Sequence, residues 1–520
     1  MNTERRVKNR KLWLVMASVL GVFLIGTGVF LLAQFITKTG IFKVPGVVYY
    51  DESLDDSELD ALQRIFNEEV ELDKDVAVSA RNELTLPDLE RNELLYRVVV
   101  PVTDFYSAEN NITVASADEL FTNCLDCEYK MIDVDGLDFS QKLLRINDAY
   151  YLDDFKSGAV FRILKFESEK YVEEIEPLLD VIYSNYPTKD KVLTFAQTGV
   201  TAFSRLMNAK MNEVDSGEYF AEKLAPFLSK YDLVHTSSEA SFSEWAPTSG
   251  VTGTPICADW RFTDALKAIG LNIIELTGNH NLDCGTEPAE ESIDWYNEND
   301  ISIVGGGKNA DEAAAPLVIE QKNTNITMLA FNESTGGATL GDYPGANQYY
   351  EEVAAEQIAK AKERSDFVIV DVQYYECSAY VDDGEDTTCD YAWSSPGDQV
   401  EFFRHLIDLG ADVVVGTSAH QPQTYELYGE GAIYYGLGNL WFDQYRWPGT
   451  TRSLILIHHF YNGRLLQTEI RPTVYDGDFQ TELMDDETTS WYLSRLASER
   501  VTIQQKCPPN CSAKMSLKLN

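Results

Sequence analysis

The chain has 520 residues, more than one ordinary core accommodates, and a formal charge of −42 at pH 7. A surface that acidic repels nucleic acid and anionic lipid headgroups, which argues against a nucleic-acid partner and against a peripheral membrane protein held by charge. Hydrophobic residues make up 44% of the chain, the share of a folded protein rather than of a disordered acidic tail.

Residues 1–11 carry Arg5, Arg6, Lys8, Arg10 and Lys11, and an uncharged run rich in Leu, Val, Phe, Ala and Gly follows over 12–36. At ~1.5 Å per helical residue this run crosses a hydrocarbon core of ~30 Å. A cleaved signal peptide fits poorly, because its apolar part is only roughly 7–15 residues and ends in a small-residue cleavage site. The positive-inside rule places residues 1–11 in the cytoplasm and the rest outside. The expectation is a single-pass cell-membrane protein with its C-terminal domains extracellular.

Residues 37–75 read as an acidic stalk. A small extracellular α/β module is expected over 76–185, from strand-like runs at 96–102 and 159–164 and a short helix at 117–121; nothing in it looks catalytic. After a linker at 184–191, strands and helices alternate. Strands are predicted at 192–196, 233–236, 271–276, 301–304, 367–372, 412–416, 432–435 and 453–459, and helices at 219–229, 262–269, 353–363 and 400–409. Near-continuous apolar strands in such alternation predict parallel sheet covered by helices. This domain runs over 192–475 and a tail over 476–520.

The eight cysteines fall in sequence-near pairs, Cys124/Cys127, Cys257/Cys284, Cys377/Cys389 and Cys507/Cys511. Outside the cytoplasm an even count in close pairs predicts disulfides.

In open α/β sheets, ligands bind where strands run out into loops. Read that way, one set of polar residues converges. The first strand of the large domain leads to Thr198-Gly199 and Arg205, and Asp232-Leu-Val-His235 leads to Ser237-Ser-Glu239. Thr277-Gly-Asn-His-Asn-Leu-Asp-Cys-Gly285 offers Asn279, His280 and Asp283, a set suited to a divalent metal or a polar ligand. Further on come Gln373-Tyr-Tyr-Glu376, Ser418-Ala-His420 and Gly436-Leu-Gly-Asn-Leu-Trp-Phe-Asp-Gln444.

This series resembles the CapA family of capsule and poly-γ-glutamate synthesis proteins. Three blocks carry the likeness: Asn279-His280-Asn-Leu-Asp283-Cys-Gly285, the Gly-rich turn from Gly305 to Pro316, and the Gly436–Gln444 stretch. The resemblance implies a metallophosphatase-like layered α/β sandwich, preceded here by the smaller α/β module and the transmembrane helix. It also implies a metal site, and the departures deplete it. The family's Gly-Asp after the first strand is Thr198-Gly199 here. Its Asn-x-Glu keeps only Glu239, its His-x-Gly-x-Glu becomes Gln373 to Glu376, and its His-Pro-His keeps only His420. A dinuclear site needs a bridging carboxylate and several imidazoles to hold two cations ~3.5–4 Å apart. The remaining set suits at most one divalent ion, zinc or manganese, on Asn279, His280 and His420.

The roles expected from the resemblance are catalytic for Glu239, Asp283 and Glu376, and substrate-binding for Arg205, Gln373, Asn439, Asp443 and Gln444. His235 lies in an apolar strand and reads as a core residue; His405, His458 and His459 read as structural or surface. Tyr374, Tyr375, Trp441 and Trp447 are candidates for an aromatic platform, with packing as the simpler role. The implied function is surface-polymer synthesis, export or remodelling, with a polymer or its synthesis and export machinery as partner. The alternative is a non-enzymatic binding module on the same fold.

Overall fold

The computed structural model describes residues 5–6, 48–50, 54, 59–60, 62–64, 76–107, 109–122, 128–166, 172–173, 187–249, 255–333, 336–339, 341–374, 396–445 and 449–506. The expected membrane anchor over 12–36 and most of the stalk lie outside them. Among the described residues no helix is long and apolar enough to cross a membrane.

Two compact units divide at Thr188/Lys189, with 104–110 and 138–142 belonging to the large one. In the small unit, Val76–Thr85, Ser157–Phe166, Glu93–Asp104 and Lys130–Asp133 lie side by side, each antiparallel to its neighbour. Helix among its described residues is limited to short pieces such as Glu119–Thr122 and Tyr151–Asp154. Among its described residues the small α/β module is built mainly of strand, and the expected strands at 96–102 and 159–164 are present. The strands at its centre are long because hydrogen-bonded neighbours flank both edges of 157–166.

The large unit has, in chain order, strands β1 (Leu193–Thr201), β2 (Leu233–Ser238), β3 (Ile273–Glu275), β4 (Ser302–Val304), β5 (Leu317–Gln321), β6 (Thr324–Asn332), β7 (Phe367–Gln373), β8 (Val413–Gly416), β9 (Tyr425–Tyr428), β10 (Gly431–Tyr434), β11 (Asn439–Trp441), β12 (Arg452–Tyr461) and β13 (Arg464–Val474). Its longer helices are α1 (Leu206–Val214), α2 (Thr263–Ala268), α3 (Thr286–Glu298), α4 (Glu351–Arg364), α5 (Pro396–Asp408) and α6 (Asp486–Lys506). The helix expected over 219–229 is instead two single turns, Glu218–Ala221 and Ala225–Leu228, with Pro226 the second residue of the latter. Proline fits a first turn and not a helix interior.

One sheet runs β4-β3-β2-β1-β12-β13, with β1 to β4 parallel and β12 and β13 antiparallel; β11 adds to β1 past a bulge. The other runs β5-β6-β7-β8-β10-β9, parallel except for its two edge strands. Side chains alternate across a strand, and the core follows that period. Phe195, Leu233 and Ile273 of the first sheet meet Ile326, Met328, Ile369 and Val415 of the second. Val368, Val370 and Val372 face outward onto α4 and α5, through Ile358, Phe402 and Phe403. Ala196, Val234 and Ile274 face α1 to α3. The result is the layered α/β sandwich expected, with helices outside and two sheets between.

The same alternation puts polar groups into the seam between the sheets. Asp371, two residues from Ile369, receives the Gln197 amide at 2.6 Å and lies 3.1 Å from His235 Nε2. Gln197 in turn takes the His458 Nε2 proton at 3.3 Å, and Thr468 bonds His458 Nδ1 at 2.9 Å. All of these side chains are buried. His235, His458 and His459 are thus core residues. Burial pushes His458 down to about 3 and His459 down to about 4. Burial, helped by the negative charge of Asp371, pushes the Glu275 carboxyl up to about 7.

These shifts oppose one another in stability. His458 and His459 stabilise the fold above their unfolded value of 6.5, and that is lost as pH falls towards 4 and 3. Glu275 stabilises it below 4.5, and that is lost as pH rises through about 7. Between these limits the unfolded chain holds one proton more, net, so these groups make stability rise by about 1.4 kcal/mol per pH unit. In Glu275→Gln the opposing contribution disappears and the slope should roughly double. Urea unfolding of both proteins across that interval checks this; parallel slopes would contradict it.

Candidate functional site

The site lies where the parallel strands of both sheets end. Glu239 follows β2 and is fully buried, its backbone N–H donating to Thr201 O at 3.0 Å. Gln373 ends β7. Its amide donates to Glu239 Oε1 at 3.3 Å and to Asn279 Oδ1 at 3.1 Å, so it bridges the two sheets. Asn279 is placed by close backbone packing at two glycines. A Cβ on Gly278 would lie 2.6 Å from Ser238 O, and one on Gly337 would lie 2.9 Å from Asn279 Cα.

His420 sits on the loop after β8, with Nε2 3.9 Å from Glu239 Oε2. Asn439 fixes its tautomer. The Asn439 amide nitrogen donates to Thr450 O at 3.0 Å and to Gln444 Oε1 at 3.4 Å, which leaves Oδ1 to accept from His420 Nδ1 at 2.9 Å. The Nε2 lone pair therefore belongs to the face of the ring that meets Glu239. Asn279, Gln373, Glu239, His420, Asn439 and Gln444 thus form one continuous polar chain.

The other expected residues are placed as follows. His280 Nδ1 pairs with Asp283 Oδ2 at 2.9 Å, and Asp283 also accepts the Ile256 N–H at 2.9 Å. Asp283 is thereby an orienting partner for His280 and a brace for the 256 loop. Arg205 and Asp443, both expected to meet substrate, are bonded to each other in a buried pair, with Arg205 Nε 3.0 Å from Asp443 Oδ2. Glu376 lies outside the described residues. Thr198 donates its hydroxyl to His235 O at 2.8 Å. Beside it, a Cβ on Gly199 would come 2.0 Å from Gly438 O, so this position serves strand packing.

The aromatic platform is not formed by Trp441 or Tyr374. Trp441 is buried, donates to Phe220 O at 3.2 Å and stacks on Phe203, while Tyr374 stacks on Phe402. Tyr375 and Trp447 lie outside the described residues. Sequence reasoning missed Asp371 and Gln197 beneath the site. A carboxylate on the inward period of an otherwise apolar strand was the signal available.

Among the described residues no group of three or more His, Cys, Asp or Glu side chains is gathered as a metal cage. The donors present fit one divalent ion: the Glu239 carboxylate, His420 with its Nδ1 already bonded, and the Asn279 carbonyl oxygen. They do not fit a dinuclear centre, which needs a bridging carboxylate.

A two-sheet α/β sandwich with an acidic and amide-rich cleft at the strand ends defines the class of domain. Residues 194–444 match the family described as Bacterial capsule synthesis protein PGA_cap. The chain is 25% identical over 336 residues to the capsule biosynthesis protein CapA of Bacillus anthracis, spanning 60% of this chain and 78% of that one. It is 26% identical over 210 residues to the PGA biosynthesis protein CapA of Bacillus subtilis (strain 168), spanning 40% and 52%. Over residues 194–444 the likeness to the CapA family of capsule synthesis proteins expected from the sequence is thus borne out. A crystal structure described as a novel phosphatase from Mycoplasma pneumoniae aligns over 55% of this chain and 94% of its own, at 16% identity and a TM-score of 0.31, too low to carry an argument.

Cys257 and Cys284 form the disulfide expected of them; the other three pairs lie outside the described residues. The bond closes a loop with a sequence separation of 27 and ties the His280–Asp283 turn to the strand beside Ser241. Chain entropy for a loop of that size gives about 3.5 kcal/mol. Cys257→Ser/Cys284→Ser should lower the urea midpoint accordingly, measured against the oxidised wild type. A double variant as stable as the oxidised protein would refute this.

Proposed function

We propose that this protein is anchored in the cell membrane by residues 12–36 and acts outside the cell on a capsule or poly-γ-glutamate-type polymer, or with the machinery that makes and exports it. The observation that carries the reading is the Glu239–His420 pair inside the segment of family likeness. A carboxylate and an imidazole whose reactive nitrogen faces it form an acid–base couple. Around them the cleft offers amides. Gln373 Oε1 and Thr417 Oγ1 are buried without a hydrogen-bond partner among the described residues. An orphaned acceptor costs about 1–3 kcal/mol, which a ligand N–H or O–H would recover. Polymer amides or hydroxyls supply such donors.

In the hydrolytic form of this reading, Glu239 takes a proton from water as it attacks the polymer's amide carbonyl, the C–N bond breaks and that proton passes to the leaving amine, while Asn439 holds the orientation of His420. Gln373 and Asn279 fix the substrate amide, and the metallophosphatase-like sandwich keeps both sheets' contributions in register. One divalent ion on Glu239, His420 and Asn279, with His280 in reach of the same loop, would supply Lewis acidity when bound. The amides that line the cleft support a second form in which it binds polymer and cuts nothing.

Polymer produced by cells carrying Glu239→Gln or His420→Ala separates the two forms. Hydrolysis predicts longer chains at similar yield; binding alone predicts unchanged length with lower retention at the surface. Wild-type length and retention in both variants would sink the proposal.

A further inference from the structure

Arg205 has a backbone that few non-glycine residues adopt, with φ 42° and ψ −102°. Such conformations persist where the surroundings over-determine them, and they gather at working sites. Here the surroundings are the Asp443 carboxylate. It takes two guanidinium N–H bonds from Arg205 and the Leu206 N–H, at 3.2 Å, at the start of α1. Both side chains are nearly solvent-free, at 6% and 4% exposure.

Between this pair and the acid–base couple stands one ring. The Arg205 guanidinium lies over Phe442, 5.0 Å from its centroid, and the His420 ring lies 5.0 Å from the same centroid. Phe442 precedes Asp443 directly, so the ion pair pins the backbone of Phe442. The same short stretch carries Asn439, which holds His420 Nδ1, and Gln444, which bonds Asn439.

We propose that Arg205 is a positioning residue for His420. By clamping Asp443 it fixes the 439–444 turn, and that turn sets the ring plane and tautomer of His420 towards Glu239. The assignment rests on reading His420 as a working group of the cleft. It replaces a role for Arg205 as a direct ligand of polymer charge, since the guanidinium is only 6% exposed and its charge is met by the buried Asp443 carboxylate. A buried fork-to-carboxylate pair is directional in a way a lysine cannot copy.

The test uses the full-length protein with ¹⁵N-labelled imidazoles at one pH, the His420 signal being assigned by its loss in His420→Ala. Wild type should show a single His420 tautomer protonated at Nδ1. Arg205→Gln should lose that single form and give a mixture, and Arg205→Lys should restore it only in part, while circular dichroism and the melting curve report the fold. An unchanged His420 signal in folded Arg205→Gln overturns the proposal. If that variant does not fold, Asp443→Asn is the second probe, since it keeps an acceptor for Leu206 and weakens the clamp; an unchanged His420 signal there overturns it equally. The outcome is separable from the functional reading. A tautomer change in Arg205→Gln beside a His420→Ala strain with normal polymer would keep the positioning role and remove the function.

Discussion

Asp371 sets the frame on which the site depends. It is a carboxylate from the second sheet, bonded in the seam to Gln197 of the first and adjacent to His235. Apolar contacts between two sheets tolerate small slides, whereas a buried carboxylate does not, because losing its partner leaves an uncompensated charge. The bond therefore fixes how far one sheet sits along the other. Two residues further up the same strand, Gln373 reaches across to Glu239 and Asn279. The cleft is the upper storey of the polar layer that begins at Asp371, and its geometry inherits that registration.

The chemistry of the cleft follows from what occupies the strand ends. Where the family likeness would place an aspartate there is Gly199, packed against Gly438 O, and where it would place imidazoles there are Gln373 and Ser418. Of these replacements, Gln373 hydrogen-bonds to Glu239 and to Asn279. Arg205 and Asp443 cancel each other within the protein, so a chain of charge −42 gains no local cation from them for a polyanion. Recognition through neutral amide and hydroxyl groups suits such a cleft better than charge pairing.

Much of this was legible in the sequence. The alternation of apolar strands and helices predicted parallel sheet covered by helices, and the family resemblance implied the layered sandwich; the strand ends held Glu239, Asn279, Gln373, His420 and Asn439, because parallel strands all deliver their loops to one end. The Cys257–Cys284 bond was legible from spacing. The pairing of Arg205 with Asp443 was not, since the two are 238 residues apart and each alone looks like a charge awaiting a ligand. Trp441 illustrates the same limit: an aromatic at a strand end can face the cleft or the core, and only the bulge between β1 and β11 decides that it faces Phe203. In the small module the strands read at 96–102 and 159–164 lie inside Glu93–Asp104 and Ser157–Phe166, and the short helix read at 117–121 overlaps Glu119–Thr122.

On the proposed reading the cleft holds a single acid–base couple and no more than one metal ion. Metal content of the purified full-length protein, measured after exposure to zinc or manganese and removal of loose ions, tests that claim most directly. It predicts at most one ion per chain, lost in His420→Ala. Two tightly held ions per chain, or one that survives His420→Ala, would contradict it.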